Sequence, residues 1–146
     1  VMSFRIWHDY GYGIKVDDIH TELFQLQQLI KMAPKYKKEL DDYFQDCEIE
    51  EPIFDDYMEI ENDEGRRGLN TILQKVILEC EDIVLSALDD FDSVQYLVFC
   101  AGYPWSYSER EKCFTEHDID EVLRRYVSVL TDEAIDIGYQ SIENCG

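Results

Sequence analysis

His8, Asp9 and His20, inside the stretch "FRIWHDYGYGIKVDDIH" (Phe4 to His20), are the side chains best suited by type to proton transfer or to holding a divalent metal. Imidazole titrates near neutral pH and ligates metals, often beside a carboxylate. Their spacing, however, matches neither HExxH nor His-x-His, and a His-Asp pair before glycines is also the composition of a turn. Cys113 and His117 are four residues apart and would suit a nucleophile and its base if they shared a helix face. Thr115 between them reads as a helix N-cap, which separates them. The acids of "IENDEG" (60–65) and "DDFDS" (89–93) offer oxygens to a hard cation, but neither stretch has the alternating acids and downstream Glu of a calcium loop. The phosphate-binding and nucleophile-elbow patterns GxxxxGK[ST], GxGxxG after a strand and GxSxG are also missing. The sequence therefore nominates no catalytic residue, no metal site and no cofactor.

Charge placement is the stronger signal. The 146 residues carry 33 Asp and Glu against 13 Lys and Arg, a net charge of −20. Between Glu39 and Glu64 there are 13 acids and no Lys or Arg, so this stretch alone supplies −13. A solvated face ordinarily mixes both signs, because crowded like charges repel. Glu39, Asp41, Asp42, Asp46, Glu48, Glu50, Glu51, Asp55, Asp56 and Glu59 are accordingly the expected partner-binding residues, with Tyr43, Phe44, Phe54 and Tyr57 interleaved. Trp7, Tyr103 and Trp105 are further candidate interface anchors, because Trp and Tyr dominate binding hot spots. Such a field repels nucleic acid and anionic membrane and attracts a basic surface, so the expected partner is a basic or nucleic-acid-binding protein. The plainer alternative is an acidic surface that serves solubility alone.

The elements that position these groups are set by periodicity. Ser3 to His8 reads as a strand, Gly11 and Gly13 as a turn, and Ile14 to Val16 as a short strand returning. Asp17 or Asp18 is expected to cap a helix in which Ile19, Leu23, Leu26 and Ile30 recur, with His20 in its first turn. Pro34 ends it and opens a second helix to about Cys47, with a stripe of Tyr36, Leu40, Tyr43, Phe44 and Cys47. Glu48 to Gly65 fits either an acidic loop or a short helix bearing Ile53, Tyr57 and Ile60. Leu69, Ile72, Leu73, Val76, Ile77 and Cys80 mark a helix, and Ile83–Leu88 with Val94–Ala101 an antiparallel hairpin turned by "DDFDS". Thr115 with Asp118 forms a capping-box pattern before Ile119, Val122, Leu123, Tyr126, Val127 and Leu130. A last strand is expected from Ala134 to about Ile142. Hairpins without strict alternation of strand and helix imply one α+β domain over residues 1–146, with a mostly antiparallel sheet of four to five strands against three to five helices.

Val1 precedes Met2, and the residues after them lack the basic start and apolar run of a signal peptide. Five cysteines without paired spacing fit a reducing cytoplasm. The opening "FRIWHDYGYGIKVDDI", the central "YPW" and the ending "DEAIDIGYQSIENCG" resemble those of small acidic proteins from phages and prophages of gut bacteria. The resemblance brings no activity or catalytic residues to these positions. It implies a mobile-element setting, in which small acidic proteins sometimes inhibit host defence nucleases. Three functions are compatible with these residues: a non-enzymatic inhibitor or nucleic-acid mimic using the acidic face, a small enzyme or metal protein around His8, Asp9 and His20, and a self-associating protein using its aromatic residues or an open sheet edge.

Overall fold

The computed structural model describes the backbone of residues 6–99 and 114–145, with side chains over 10–99 and 114–143. Among these residues the fold is α+β. The strands β1 (Ile6–Lys15), β2 (Ser86–Asp89), β3 (Gln95–Phe99) and β4 (Gly138–Cys145) form an antiparallel sheet in the order β2-β3-β1-β4. The helices are α1 (Leu23–Lys31), α2 (Pro34–Asp46), α3 (Phe54–Met58), α4 (Leu69–Glu81) and α5 (Glu116–Leu130).

The helices build two layers on one face of the sheet. α4 packs under β2 and β3, and α5 under β1, while α1 and α2 rest on those two helices. The principal core lies between these layers, with Leu26, Leu29, Ile72, Leu73, Leu97 and Leu123 each completely or almost completely shielded from solvent. α5 buries the six residues its periodicity selects, Ile119, Val122, Leu123, Tyr126, Val127 and Leu130. Its expected capping box is formed: Asp118 N–H donates to Thr115 Oγ1 at 3.2 Å and Thr115 N–H to Asp118 Oδ2 at 2.9 Å. The bond from the Thr115 N–H, and then the Thr115 hydroxyl beside it, hold the Asp118 carboxyl below the usual carboxylate range.

The opening segment departs from expectation. Gly11 and Gly13 do not turn the chain but sit inside the single ten-residue strand β1. A Cβ on Gly13 would lie 2.1 Å from Leu97 O and 2.7 Å from Val98 Cα, and one on Gly11 would lie 2.7 Å from Val98 Cβ. The glycines are there because β3 approaches too closely for a side chain. Alternation along β3 sends Leu97 into the principal core and Val98 into a second, smaller one, which Tyr96 and Ile142 of β4 complete. Beside it, Phe91 N–H in the β2–β3 turn donates to Glu143 O at 2.8 Å.

Three further boundaries shift. Asp17 and Asp18 do not cap α1 but form a single 3-10 turn, where Asp17 Oδ1 accepts from the Gln95 N–H at 3.0 Å. α1 starts only at Leu23, so His20 lies on the connection before the helix rather than in its first turn. β4 begins at Gly138, because Ile135 and Ile137 are drawn against the helical core ahead of the strand. The stripe of α2 is also narrower than expected: Tyr36, Leu40 and Phe44 are buried, whereas Tyr43 and Cys47 face solvent. Cys80 of α4 is likewise exposed.

Candidate functional site

α2 lacks a polar side chain at its N-cap, Ala33, yet its first turn is held by a carboxylate from a distant helix. Glu79 of α4 accepts from Lys35 N–H at 3.1 Å through Oε2 and from Tyr36 N–H at 2.8 Å through Oε1. These bonds satisfy two of the helix's orphan donors and place negative charge at the positive end of its dipole. Tyr36, Leu40 and Phe44 complete the anchorage on the buried side. Phe44 stacks edge-on against Tyr57 of α3, with ring centroids 5.0 Å apart. The short helix α3 is started by Asp56, whose Oδ2 accepts from Ile53 N–H at 2.8 Å. Of the two expectations for Glu48 to Gly65, the structure selects the short helix, set between irregular connections, but it spans only Phe54–Met58, so that of Ile53, Tyr57 and Ile60 it carries Tyr57 alone.

This scaffold divides the 13 acids of the run into two groups. Six are engaged within the molecule. Lys37 binds Asp41 at 2.7 Å, and Arg67 spans Glu59 at 2.8 Å and Glu61 at 2.9 Å. Lys75 lies 3.7 Å from Asp63 and Arg66 3.9 Å from Glu64, while Asp56 serves the N–H of Ile53. The other seven, Glu39, Asp42, Asp46, Glu48, Glu50, Glu51 and Asp55, are exposed, and their carboxylates make no hydrogen bond or ion pair among the described residues. Cations just beyond the run thus pair with the acids at its end, and the seven unpaired acids lie on α2, which also carries Lys35, Lys37 and Lys38, on the connection into α3 and, with Asp55, on α3 itself.

Glu39, Asp42 and Asp46 recur at i, i+3 and i+7, which aligns them along one side of α2. Tyr43, 44% exposed, stands among them. A hydrogen bond with Cys47 and that thiol's charge, followed by burial and by Glu61 and Glu59, hold its phenol above the usual tyrosine range. Burial, with Glu39 close by, does the same to Tyr36. Among the described residues the face contains no paired acid and base of matched geometry that would move a proton for a substrate.

The two acidic turns are used structurally. Asn62 Oδ1 accepts from the N–H groups of Glu64 and Arg66, each at 2.9 Å. Asp90 Oδ1 accepts from Asp92 N–H at 2.8 Å and Val94 N–H at 2.9 Å. Both are side chains mimicking a backbone turn. Among the described residues no three of His, Cys, Asp and Glu gather where they could hold a metal.

Of the remaining candidates, only His20 and His117 have described side chains. His8 and Asp9 lie on β1 opposite Glu143 and Ile142, and their side chains are outside the described set, as is that of Trp7. His20 is exposed and has no hydrogen bond or ion pair among the described residues. Tyr103, Trp105 and Cys113 lie outside the described residues. His117 is exposed on α5, 3.1 Å from Glu121. No described helix is long and apolar enough to cross a membrane.

Sequence reasoning missed Glu79 as the residue that fixes α2, because its partners lie 43 and 44 positions away. It also missed Arg66, Arg67 and Lys75 as the cations that return to the acidic run, although the position of Arg66 and Arg67 directly after it was a signal. Comparison with protein-family models, curated proteins and solved structures gives no match.

Proposed function

We propose that this chain is a non-enzymatic acidic binding protein, which engages a basic, nucleic-acid-binding partner through α2 and the connection to α3. The observation that carries the reading is the set of seven exposed, uncompensated carboxylates on and beside a helix pinned by Glu79, Leu40 and Phe44. Keeping like charges together costs folding free energy through mutual repulsion. Arg66, Arg67 and Lys75 pair with the far end of the run and Lys37 with Asp41, which leaves the repulsion among the seven unpaired acids in place, where a basic partner would relieve it. Complementary charge of this kind speeds encounter and selects partners. Tyr43 supplies the amphipathic aromatic contact that interfaces favour at their centre.

Carboxylates on a fixed scaffold occupy the place of phosphates in a basic groove, so the partner's own nucleic acid competes for the same surface. Inhibition of such a partner, in a cytoplasmic and mobile-element setting, belongs to the same proposal. The test is capture of proteins from a nuclease-treated host lysate on the immobilised chain, with subsequent elution by duplex DNA. Basic proteins released by DNA, and not retained by a chain carrying Asp42→Asn, Asp46→Asn, Glu50→Gln and Glu51→Gln, are the expected result. Retention unaffected by both DNA and the four substitutions would overturn the reading.

A further inference from the structure

Asn70, in the first turn of α4, is completely shielded from solvent. Its Nδ2 donates to Tyr96 O of β3 at 3.2 Å and to Leu88 O of β2 at 3.4 Å, so one side chain ties the helix to both strands of the hairpin. A side-chain amide carries two hydrogens, and these two carbonyls take both. Its other end is buried too, yet Asn70 Oδ1 accepts no hydrogen bond. Beside this amide lies the carboxyl of Asp89, the last residue of β2, whose Oδ1 is likewise buried and without a donor. Asp89 Oδ2 lies 3.9 Å from Arg66 Nη1, beyond hydrogen-bond length. Asp17 of the 3-10 turn and Asp90 of the β2–β3 turn add negative charge around the carboxyl.

We propose that Asp89 and Asn70 form a proton-operated latch: a hydrogen on Asp89 Oδ1 donates to Asn70 Oδ1 and closes the end of the hairpin on α4, and loss of that proton releases it. Two buried acceptors side by side lower the stability of the fold unless a donor joins them. Asn70 Nδ2 has no hydrogen left to give, and Arg66 approaches the other carboxyl oxygen. A neutral carboxyl supplies the missing donor and satisfies both atoms at once. The surroundings select that form: burial first, then Asp17 and Asp90, disfavour the ionised carboxyl, which Arg66 and the Asn70 amide offset only in part. Once ionised, Asp89 has only repulsion to meet at Asn70 Oδ1, and it swings toward Arg66 and water. The strand it ends, β2, is at the edge of the sheet and pairs with β3 alone, so the hairpin end is the part this release loosens. The latch is closed in acid and opens as pH rises through the folded pKa of Asp89. It does not depend on the proposed function.

The test is NMR on the isotopically labelled chain from about pH 3 to about pH 8, a range that spans the ordinary aspartate value of about 3.9. The carbonyl resonance of the Asn70 side chain is expected to shift with the same midpoint as the Asp89 carboxyl, above that ordinary value. Hydrogen exchange of the backbone amides in β2 and β3, corrected for its intrinsic pH dependence, supplies the second readout. Their protection is expected to fall by at least about threefold across the same midpoint, while the amides of α5 keep theirs. In Asp89→Asn the new amide donates to Asn70 Oδ1 without titrating, so the hairpin is expected to stay protected throughout. An Asn70 resonance indifferent to the titration of Asp89, or a midpoint at or below the ordinary aspartate value, would overturn the shared proton. Hairpin protection that is constant in the parent, or that falls equally in Asp89→Asn, would overturn the latch.

Discussion

Gly13 and Gly138 face each other across β1 and β4, and the structure gives them opposite tolerances for one added methyl group. At Gly138 a Cβ meets nothing within 4 Å. At Gly13 it lies 2.1 Å from Leu97 O and 2.7 Å from Val98 Cα. Both of those atoms are backbone, so no rotamer change relieves the overlap, and β1 must move from β3. Overpacking of this sort costs about 1–3 kcal/mol. Displacing the Gly13–Val98 register adds the loss of roughly two ladder hydrogen bonds at about 1 kcal/mol each. Gly13→Ala is therefore expected to lose about 3–5 kcal/mol, which for a chain of this size lowers Tm by roughly 10 °C or more. Gly138→Ala removes backbone freedom from the unfolded chain at no steric cost and is expected to gain up to about 1 kcal/mol. Urea denaturation of the two single variants measures both values. Equal stabilities, or a Gly13→Ala chain within about 0.5 kcal/mol of the parent, would refute the close approach of β1 and β3 and the role assigned to the glycine.

Glu79→Ala deprives α2 of its two capping bonds and is expected to cost about 1–2 kcal/mol in urea titration; a loss below about 0.3 kcal/mol would count against the interhelical cap. Asp89 is held above the usual carboxylate range chiefly by burial, which Arg66 and Asn70 only partly offset and Asp17 and Asp90 reinforce. Its neutral form therefore favours the fold. That contribution is present below the unfolded pKa and is lost as pH rises through the folded one. Asp89→Asn should accordingly raise stability at about pH 7 relative to the parent and shrink the difference toward about pH 3, measured by denaturation across that range. Asp118 runs the other way: its lowered pKa means that the Thr115 cap stabilises above the unfolded pKa and fades as pH falls through the folded one. Asp118→Asn should therefore destabilise at about pH 7 and approach the parent at about pH 2, and a pH-independent loss would contradict the assignment.

α5 and the β2–β3 hairpin were legible in the sequence because their signals are local. The six buried residues of α5 and its capping box fall within one continuous run from Thr115 to Leu130, and "DDFDS" supplies its own turn ligand in Asp90. β1 was not legible, since what demands Gly13 is Leu97 and Val98 on another strand, and a glycine in isolation reads as a turn. Asp17 misled for the same reason: an aspartate before an apolar repeat suggests an N-cap, but its partner is Gln95, 78 residues away. At the acidic face the residue types and their segregation were plain in the sequence. Which carboxylates are compensated was not, because several acids lie within reach of Arg66, Arg67 and Lys75 along the chain, and the folded connection, with its bridge between Glu61 and Arg67, decides which of them they meet. Folding thus narrows the face from the whole run of acids to those around α2 and the connection after it.

Binding of a basic partner by these uncompensated carboxylates is tested most directly by the affinity of the captured partner for the chain as salt rises from about 0.1 M to about 1 M, where the screening length falls from about 10 Å to about 3 Å. A steep, log-linear loss of affinity is expected for the parent chain, and a distinctly shallower slope after Asp42→Asn, Asp46→Asn, Glu50→Gln and Glu51→Gln. A salt-independent affinity, or identical slopes for the two chains, would contradict the proposed function.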